Sequence, residues 1–419
     1  MSGTRLDGTV AWLPRRALVL GLARSGQAAA LALARRGVEV VAADRSPAVD
    51  TGRLAGTGVE VRSGSEEESL LEGVELVVKS PGVPASSPLA AAARARGVPI
   101  WSEVELGYRL LDGNPLIGVT GTNGKTTTTE LLGAILRAAG RRVEVAGNIG
   151  RALTEVADEI ELGTSVVCEL SSFQLEDVHG LTCDVAVLLN LEPDHLDRHG
   201  TFEAYRDAKL RIFERARAKI VPRGMGLDGI EFAADDPLPA EPLIPGLHNR
   251  ENAAAATAAA RAAGVGDDAI AKALRTFTGV PHRLELVREL NGVRYVNDSK
   301  ATNTAAARRG VAAYDAPVRL ILGGSLKGED FVPFARDLPA NVRSIYLVGA
   351  ASDELAAALD AAGQSYSRDG DLERALAHAS SDAEAGDVVL LSPATASFDQ
   401  FENFEQRGDT FRRLVEELA

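Results

Sequence analysis

Between Val119 and Thr127 the chain reads Val-Thr-Gly-Thr-Asn-Gly-Lys-Thr-Thr. The apolar run Leu116-Ile117-Gly118-Val119 leads into this stretch, and a helical pattern from Thr126 to Ala139 leads out of it and stops at Gly140. A buried strand that turns through glycines into a helix N-terminus commits this part of the chain to an α/β layer. The turn frees backbone N–H groups, the helix presents its positive end, and Lys125 adds an ammonium. All three converge where a polyphosphate would lie. The standard phosphate loop places a glycine where this chain has Val119, so the spacing is a variant.

Length and charge bound what surrounds this loop. A chain of 419 residues predicts two to three domains. Lysine and arginine number 45 against 59 acidic residues, a net charge of −14. That balance argues against nucleic acid or an anionic membrane as a partner, so an anionic ligand must be held by local groups. Two cysteines, Cys168 and Cys183, exclude a disulfide framework and suit a reducing compartment. No apolar stretch reaches the length of a membrane span. A cytoplasmic, monomeric enzyme of small molecules is the expectation, without membrane insertion.

Three α/β units are expected: 1–103, 104–279 and 280–419. The first opens with the strand Ala17–Leu20, the turn Gly21-Leu22-Ala23-Arg24-Ser25-Gly26, a helix to Arg36 and a strand from Val38 towards Asp44, and a later strand, Leu76-Val77-Val78, ends in the turn Lys79-Ser80-Pro81-Gly82. This is a Rossmann-like start with Ala23 in place of the second glycine. A ligand-free turn fits it as well as a nucleotide site does. The second unit has buried strands over 116–120, 165–170 and 184–190, expected to be parallel. Their carboxyl ends carry the loop, then Glu169, then Asn190 followed by Asp194-His195. The third unit has strands over 293–296, 320–322, 345–348 and 388–391, again Rossmann-like. Residues 222–246, with five prolines among glycines, are expected to form a loop or a shortened subdomain edge and not regular structure.

The chemistry-bearing residues cluster on these strand ends. Lys125 is placed to meet β/γ-phosphate oxygens, and the Thr126 hydroxyl to ligate Mg²⁺. Glu169 closes an otherwise apolar strand, a costly place for a carboxylate unless it is paired or metal-bound. His195, between Asp194 and Asp197, reads as a metal ligand oriented by a neighbouring carboxylate. Lys209 falls inside the apolar stripe of the helical segment 201–215, which includes Phe202, Tyr205, Ile212 and Phe213. Two fates are open to it. Its stem can snorkel to the surface, or burial can leave a neutral amine able to take up carbon dioxide as a carbamate that binds Mg²⁺. In the third unit Asp298, Lys300, Thr302 and Lys327 sit on loops suited to a small carboxylate.

Taken together these residues resemble the Mur ligase family, ATP-dependent amide-bond enzymes of bacterial peptidoglycan synthesis. The resemblance runs through Thr120–Thr127, Gly147–Gly150, Glu169–Glu176, Asp194–Arg198, Ala208–Ile212, His248–Asn252, Pro281–Arg283, Asn297–Asn303 and Leu391–Gly408. It implies a Rossmann-like first domain, a P-loop-type ATPase centre with a mostly parallel sheet and a Rossmann-like last domain. The implied reaction adds D-glutamate to UDP-N-acetylmuramoyl-L-alanine with ATP and Mg²⁺, through an acyl phosphate. ATP would be held by Gly121, Thr122, Asn123, Gly124, Lys125, Thr126, Thr127, Asn249, Asn252, Arg283 and Asp298. Ser25, Asp44, Arg45, Ser80, Gly82, Asn148 and His195 would hold the UDP precursor. Lys300, Thr302, Lys327, Ser397 and Phe404 would hold glutamate. Thr126, Glu169, His195 and carbamylated Lys209 would organise the metal, and Lys125, Glu169, His195 and Lys209 would carry catalysis. A ligase specific for L-glutamate and a non-catalytic nucleotide-binding protein of the same fold remain as alternatives.

Overall fold

A computed structural model describes residues 12–326 and 328–418, without the side chain of Asp197. The chain divides into two compact units, Met1–Glu241 with Glu251–Arg275, and Pro242–Arg250 with Thr276–Ala419. Among the described residues the strands form three sheets of five, six and six strands, so the α/β expectation holds. No described helix is long and apolar enough to cross a membrane.

The first unit holds two of the sheets. One comprises β1 (Arg16–Leu20), β2 (Glu39–Asp44), β3 (Glu60–Ser63), β4 (Leu76–Lys79) and β5 (Ile100–Ser102), in the order β3-β2-β1-β4-β5. Every pairing is parallel. The chain winds outward from β1 to β3, then crosses to β4. Strand order therefore reverses beside β1, and a crevice opens at the carboxyl ends of β1 and β4, where such sheets bind ligands. A Cβ at Gly26 would overlap the Gly21 carbonyl oxygen, so the helix Arg24–Ala34 approaches the turn this closely only with glycine there.

The other sheet comprises β6 (Leu116–Thr120), β7 (Val143–Gly147), β8 (Ser165–Glu169), β9 (Val185–Leu188), β10 (Ala218–Pro222) and β11 (Ile230–Phe232). Its order is β11-β10-β9-β6-β8-β7, and it too is parallel throughout. β6 and β8 are buried along their whole length, because helices cover both faces of a parallel sheet. β11 corrects the expectation of an irregular 222–246. Ile220 pairs with Ile230, and Pro222 closes β10, where its missing N–H is tolerated next to the edge strand. The other four prolines of that stretch lie outside strands and helices.

The second unit carries β12 (Glu285–Leu290), β13 (Val293–Asn297), β14 (Val318–Gly323), β15 (Val342–Val348), β16 (Tyr366–Gly370) and β17 (Val388–Leu391), in the order β12-β13-β17-β14-β15-β16. β12 and β13 form an antiparallel hairpin on an otherwise parallel sheet. Its two-residue turn is Asn291-Gly292, both at positive φ (54° and 79°), which matches the twist of a tight hairpin.

The two sheets of the first unit are joined through the helix Glu103–Leu110, which carries two buried carboxylates. Glu105 accepts from the backbone N–H groups of His179, Gly180 and Leu181 and from Arg109 Nε, at 2.7–3.0 Å. Glu103 Oε1 accepts from the Thr154 N–H and hydroxyl, both at 2.7 Å, while its Oε2 is buried with no hydrogen-bond partner. Burial pushes the Glu103 pKa up from 4.5. The unfolded chain then ionises at a lower pH than the folded one, so stability falls as pH rises above that value. Glu103→Gln keeps the Thr154 bonds and removes the titration. Its thermal midpoint is expected to gain on the parent's between pH 5 and pH 8, and an equal gap at both pH values would count against a buried acid here.

Candidate phosphoryl-transfer site

The loop after β6 enters the helix Lys125–Ala138 through Gly124 at φ 80°. A side chain there would be strained and would collide with the Asn252 amide, which packs against the turn. The end of β9 braces the loop: Asn123 N–H donates to Asn190 Oδ1 at 2.8 Å, and Asn123 Nδ2 to Glu192 Oε2 at 2.9 Å. The Thr122 and Tyr205 hydroxyls are 2.9 Å apart. Lys125 Nζ donates to the carbonyls of Gly121 (2.9 Å) and Thr122 (2.8 Å), so the ammonium lies over the turn. Thr126 and Thr127 are buried at the start of the helix.

Glu169 closes β8 next to β6 and is buried. Asn148 Nδ2 donates to its Oε1 at 2.8 Å, while Oε2 has no hydrogen-bond partner. A buried carboxylate oxygen left unpaired marks a place for a cation or a donor group. Lys209 is 2% exposed, and its Nζ donates to the Gly121 carbonyl at 2.8 Å. It does not snorkel. Desolvation, assisted by the nearby Lys125 ammonium and opposed by Asp194 and Glu169, lowers its pKa to about 7.

His195 begins the helix Leu196–His199 at φ 52°. Its ring packs 4.9 Å from Phe173, and its Nε2 is 3.6 Å from Asp194 Oδ2, in line with an orienting carboxylate. The side chain is half exposed, unlike Glu169 and Lys209. His199 was not anticipated. Its ring stacks on Phe173 at 5.1 Å, its Nε2 is 2.9 Å from Ser172 Oγ, and burial lowers its pKa. Two of the four expected metal-site residues, Lys209 and Thr126, are not His, Cys, Asp or Glu. Accordingly, no group of three His, Cys, Asp or Glu among the described residues is placed to hold an ion. The donors fit Mg²⁺ on one condition. Two ammonium groups beside the loop would repel a dication, whereas an anionic Lys209 carbamate next to the unpaired Glu169 oxygen would attract it.

Ser25, Asp44, Arg45, Ser80 and Gly82 line one cavity of about 400 Å³ at the carboxyl ends of β1, β2 and β4. Asp44 is fixed by the N–H groups of Leu22 (2.7 Å) and Ser46 (2.8 Å), and Ser80 Oγ donates to the Gly21 carbonyl at 2.8 Å. Asn252 belongs to this first unit; Asn249, Arg283 and Asp298 belong to the second. There Asn249 Nδ2 donates to the Pro245 carbonyl at 2.6 Å. Asp298 accepts from Ser392 Oγ at 2.7 Å and from the Leu284 N–H at 3.2 Å. Burial pushes its pKa up to about 7, against the pull of Ser392, Arg283 and Arg309.

Lys300 Nζ lies 5.2 Å from the centre of the Phe404 ring, and Thr302 N–H bonds back to the Lys300 carbonyl. Ser397 is buried. Lys327 lies outside the described residues. Arg407 falls within Leu391–Gly408, but nothing in the sequence alone gives it a role. It is fully buried and donates to Ser299 Oγ and to the carbonyls of Ser299, Gly323, Thr395 and Ala396.

The chain is similar to known proteins along nearly its whole length. The MurD-like N-terminal domain of Mur ligases matches residues 15–102, the Mur ligase middle domain 119–224, and the Mur ligase glutamate ligase domain 282–395. The protein named UDP-N-acetylmuramoylalanine--D-glutamate ligase of Acidobacterium capsulatum is 40% identical, over 96% of each chain. Its namesake in Myxococcus xanthus is 41% identical, over 98% of this chain and all of that one. Among solved structures, the UDP-N-acetylmuramate-alanine ligase MurC of Thermotoga maritima has the same fold, with a TM-score of 0.57 at 19% identity over 96% of this chain and 98% of that one. With three domain matches in family order and relatives aligned almost end to end, this chain belongs to the Mur ligase family.

Proposed function

We propose that the protein is an ATP-dependent ligase that joins D-glutamate to UDP-N-acetylmuramoyl-L-alanine, a cytoplasmic step of peptidoglycan synthesis, and that it works as a monomer. The observation that carries the reading is the meeting of Glu169, with its unpaired buried oxygen, and the desolvated Lys209 beside the Gly-Lys-Thr loop. The working domains are 1–103 for the UDP precursor, 104–279 for ATP and 280–419 for glutamate.

In this mechanism the alanyl carboxylate attacks the γ-phosphorus of ATP and ADP leaves. The resulting acyl phosphate is attacked at its acyl carbon by the neutral glutamate amine, the bond from that carbon to the phosphate oxygen breaks, and inorganic phosphate leaves with the proton that the nitrogen gives up. Lys125 and the N–H groups of Gly121–Thr127 hold the phosphates and offset charge on the transferring oxygens. Asn252 packs against Gly124, and Asn249, Arg283 and Asp298 are assigned to the nucleotide. Thr126, Glu169, His195 and carbamylated Lys209 would hold Mg²⁺, which supplies charge neutralisation at the phosphoryl group. Ser25, Asp44, Arg45, Ser80 and Gly82 hold the uridine diphosphate in the cavity, and Asn148 and His195 orient the precursor's reacting end. Lys300, Thr302, Lys327, Ser397 and Phe404 bind glutamate, whose two carboxylates call for cations.

The test is phosphate release from ATP with UDP-N-acetylmuramoyl-L-alanine and either enantiomer of glutamate. Release with D-glutamate alone is expected. Release with L-glutamate alone would reassign the amino acid, and release with neither would overturn the ligase reading.

A further inference from the structure

The wall of the N-terminal cavity and the aromatic group around His195 are tied together by contacts that the ligase reading does not use. The turn Ser80-Pro81-Gly82-Val83 lines the cavity and closes with Val83 N–H bonded to the Ser80 carbonyl at 3.0 Å. The Val83 carbonyl accepts from two cations. Lys79 Nζ reaches it at 3.1 Å from the end of β4, and Arg198 Nη2 at 2.9 Å from the helix Leu196–His199 of the neighbouring sheet's domain. Lys79 is 1% exposed and also pairs with Asp177 (3.1 Å) and Glu176 (3.6 Å). Glu176 in turn lies 3.4 Å from His199 Nδ1.

The flat face of Arg198 covers Phe173, its guanidinium carbon 3.9 Å from the ring centre. Phe173 touches both His195 and His199. It is itself fixed by the capping box of Ser171 and Gln174, two to five residues past Glu169. One guanidinium thus grips the cavity wall with an N–H and the aromatic group with its face. A lysine has no planar face and cannot do both.

We propose that Arg198 is a positioning residue that couples filling of the cavity by a nucleoside diphosphate group to the placement of His195. This rests on the ligase reading for its consequence in turnover, though not for the coupling itself. A substrate group that moves the 80–83 turn moves the Val83 carbonyl, and Arg198 carries that shift through Phe173 to the histidine. Lys79 holds the same carbonyl from the end of β4, so the turn keeps its shape when Arg198 is removed.

The experiment compares the parent, Arg198→Ala and Arg198→Lys, with UDP as the probe of the cavity. In the parent, UDP is expected to slow amide hydrogen exchange both in 80–88 and in 195–202. In Arg198→Ala it is expected to protect 80–88 only. Turnover with the full precursor is expected to fall by about tenfold or more in Arg198→Ala. KM for ATP should stay near the parent value, and Arg198→Lys should recover precursor KM better than kcat. Equal UDP protection of 195–202 in the parent and Arg198→Ala would overturn the coupling, as would protection of 80–88 alone in the parent. A uniform loss of all three substrate affinities together with thermal stability would show a merely structural role. Phosphate release by the parent judges the ligase reading separately, since hydrogen exchange needs no turnover.

Discussion

Lys209→Ala is expected to lower turnover by about a thousandfold or more, and a short carboxylic acid such as acetate is expected to restore part of it. An ammonium at this buried position would stand beside Lys125, in the place where a triphosphate and its metal need negative ligands. Desolvation lowers the Lys209 pKa from 10.5 to about 7, so near neutral pH about half of the amine is in the nucleophilic form. The neutral amine adds to the carbon of carbon dioxide and loses a proton, and the cation becomes an anion. A free carboxylate that enters the space vacated in the alanine variant supplies the same charge, which is why rescue discriminates this role from simple packing.

The pH dependence has a sign that can be checked without turnover. Above pH 7 the folded amine is neutral while the unfolded one keeps its proton up to about 10.5, so the unfolded state binds more protons and stability rises with pH across that window. In bicarbonate-free buffer, Lys209→Met should therefore lose ground to the parent as pH rises from 7 towards 10. Full activity in Lys209→Ala, with no response to bicarbonate or acetate, would dispose of the carbamate.

What the sequence reading saw and missed in the fold follows one physical line. The strands it placed are β1, β2, β4, β6, β8, β9, β13, β14, β15 and β17, all of them flanked by neighbours on both sides. The six sheet edges, β3, β5, β7, β11, β12 and β16, escaped it, together with β10 next to an edge. An internal parallel strand is covered on both faces and reads as a continuous apolar run. An edge strand such as β3, Glu-Val-Arg-Ser, or β16, Tyr-Ser-Arg-Asp-Gly, is partly solvated and has no such run to recognise. The Asn291-Gly292 hairpin did carry a readable turn signal. The alternation in the flanking Glu285–Leu290 is weak, and that hid it.

The candidate site divides in the same way. Lys125 was legible because it stands at the end of a glycine turn between strand and helix, and Glu169 and Lys209 because each is a polar residue where an apolar one is expected, with topology putting the strand ends together. His199, Arg198 and Arg407 were not, since their roles are set by partners far away in sequence. Arg198 reaches a carbonyl 115 residues away, and Arg407 reaches Ser299 from 108. A motif shows that such residues recur in order, but not what they hold.

Arg407→Met is expected to destabilise the second unit by on the order of 3–5 kcal/mol and to raise KM for glutamate well before kcat falls. The guanidinium has five N–H groups, and its Nε and both terminal nitrogens are bonded, to one hydroxyl and four carbonyls at 2.9–3.3 Å. Burial lowers its pKa to about 10, which leaves it charged at neutral pH. Its acceptors belong to three loops at the carboxyl ends of the strands: Ser299 after β13, Gly323 at the end of β14, and Thr395 and Ala396 after β17. These loops also carry Lys300, Thr302 and Ser397, and Phe404 opens the helix on which Arg407 stands. Methionine fills much of the volume but leaves those carbonyls unpaired in a dry interior. Arg407→Lys has too few donors, in the wrong geometry, to replace the fork, so it should rescue little. Urea unfolding followed with glutamate titration reads both effects. An unchanged midpoint with an unchanged glutamate KM in Arg407→Met would show that the three loops keep their places without it. A lowered midpoint with normal glutamate KM would confine Arg407 to stability.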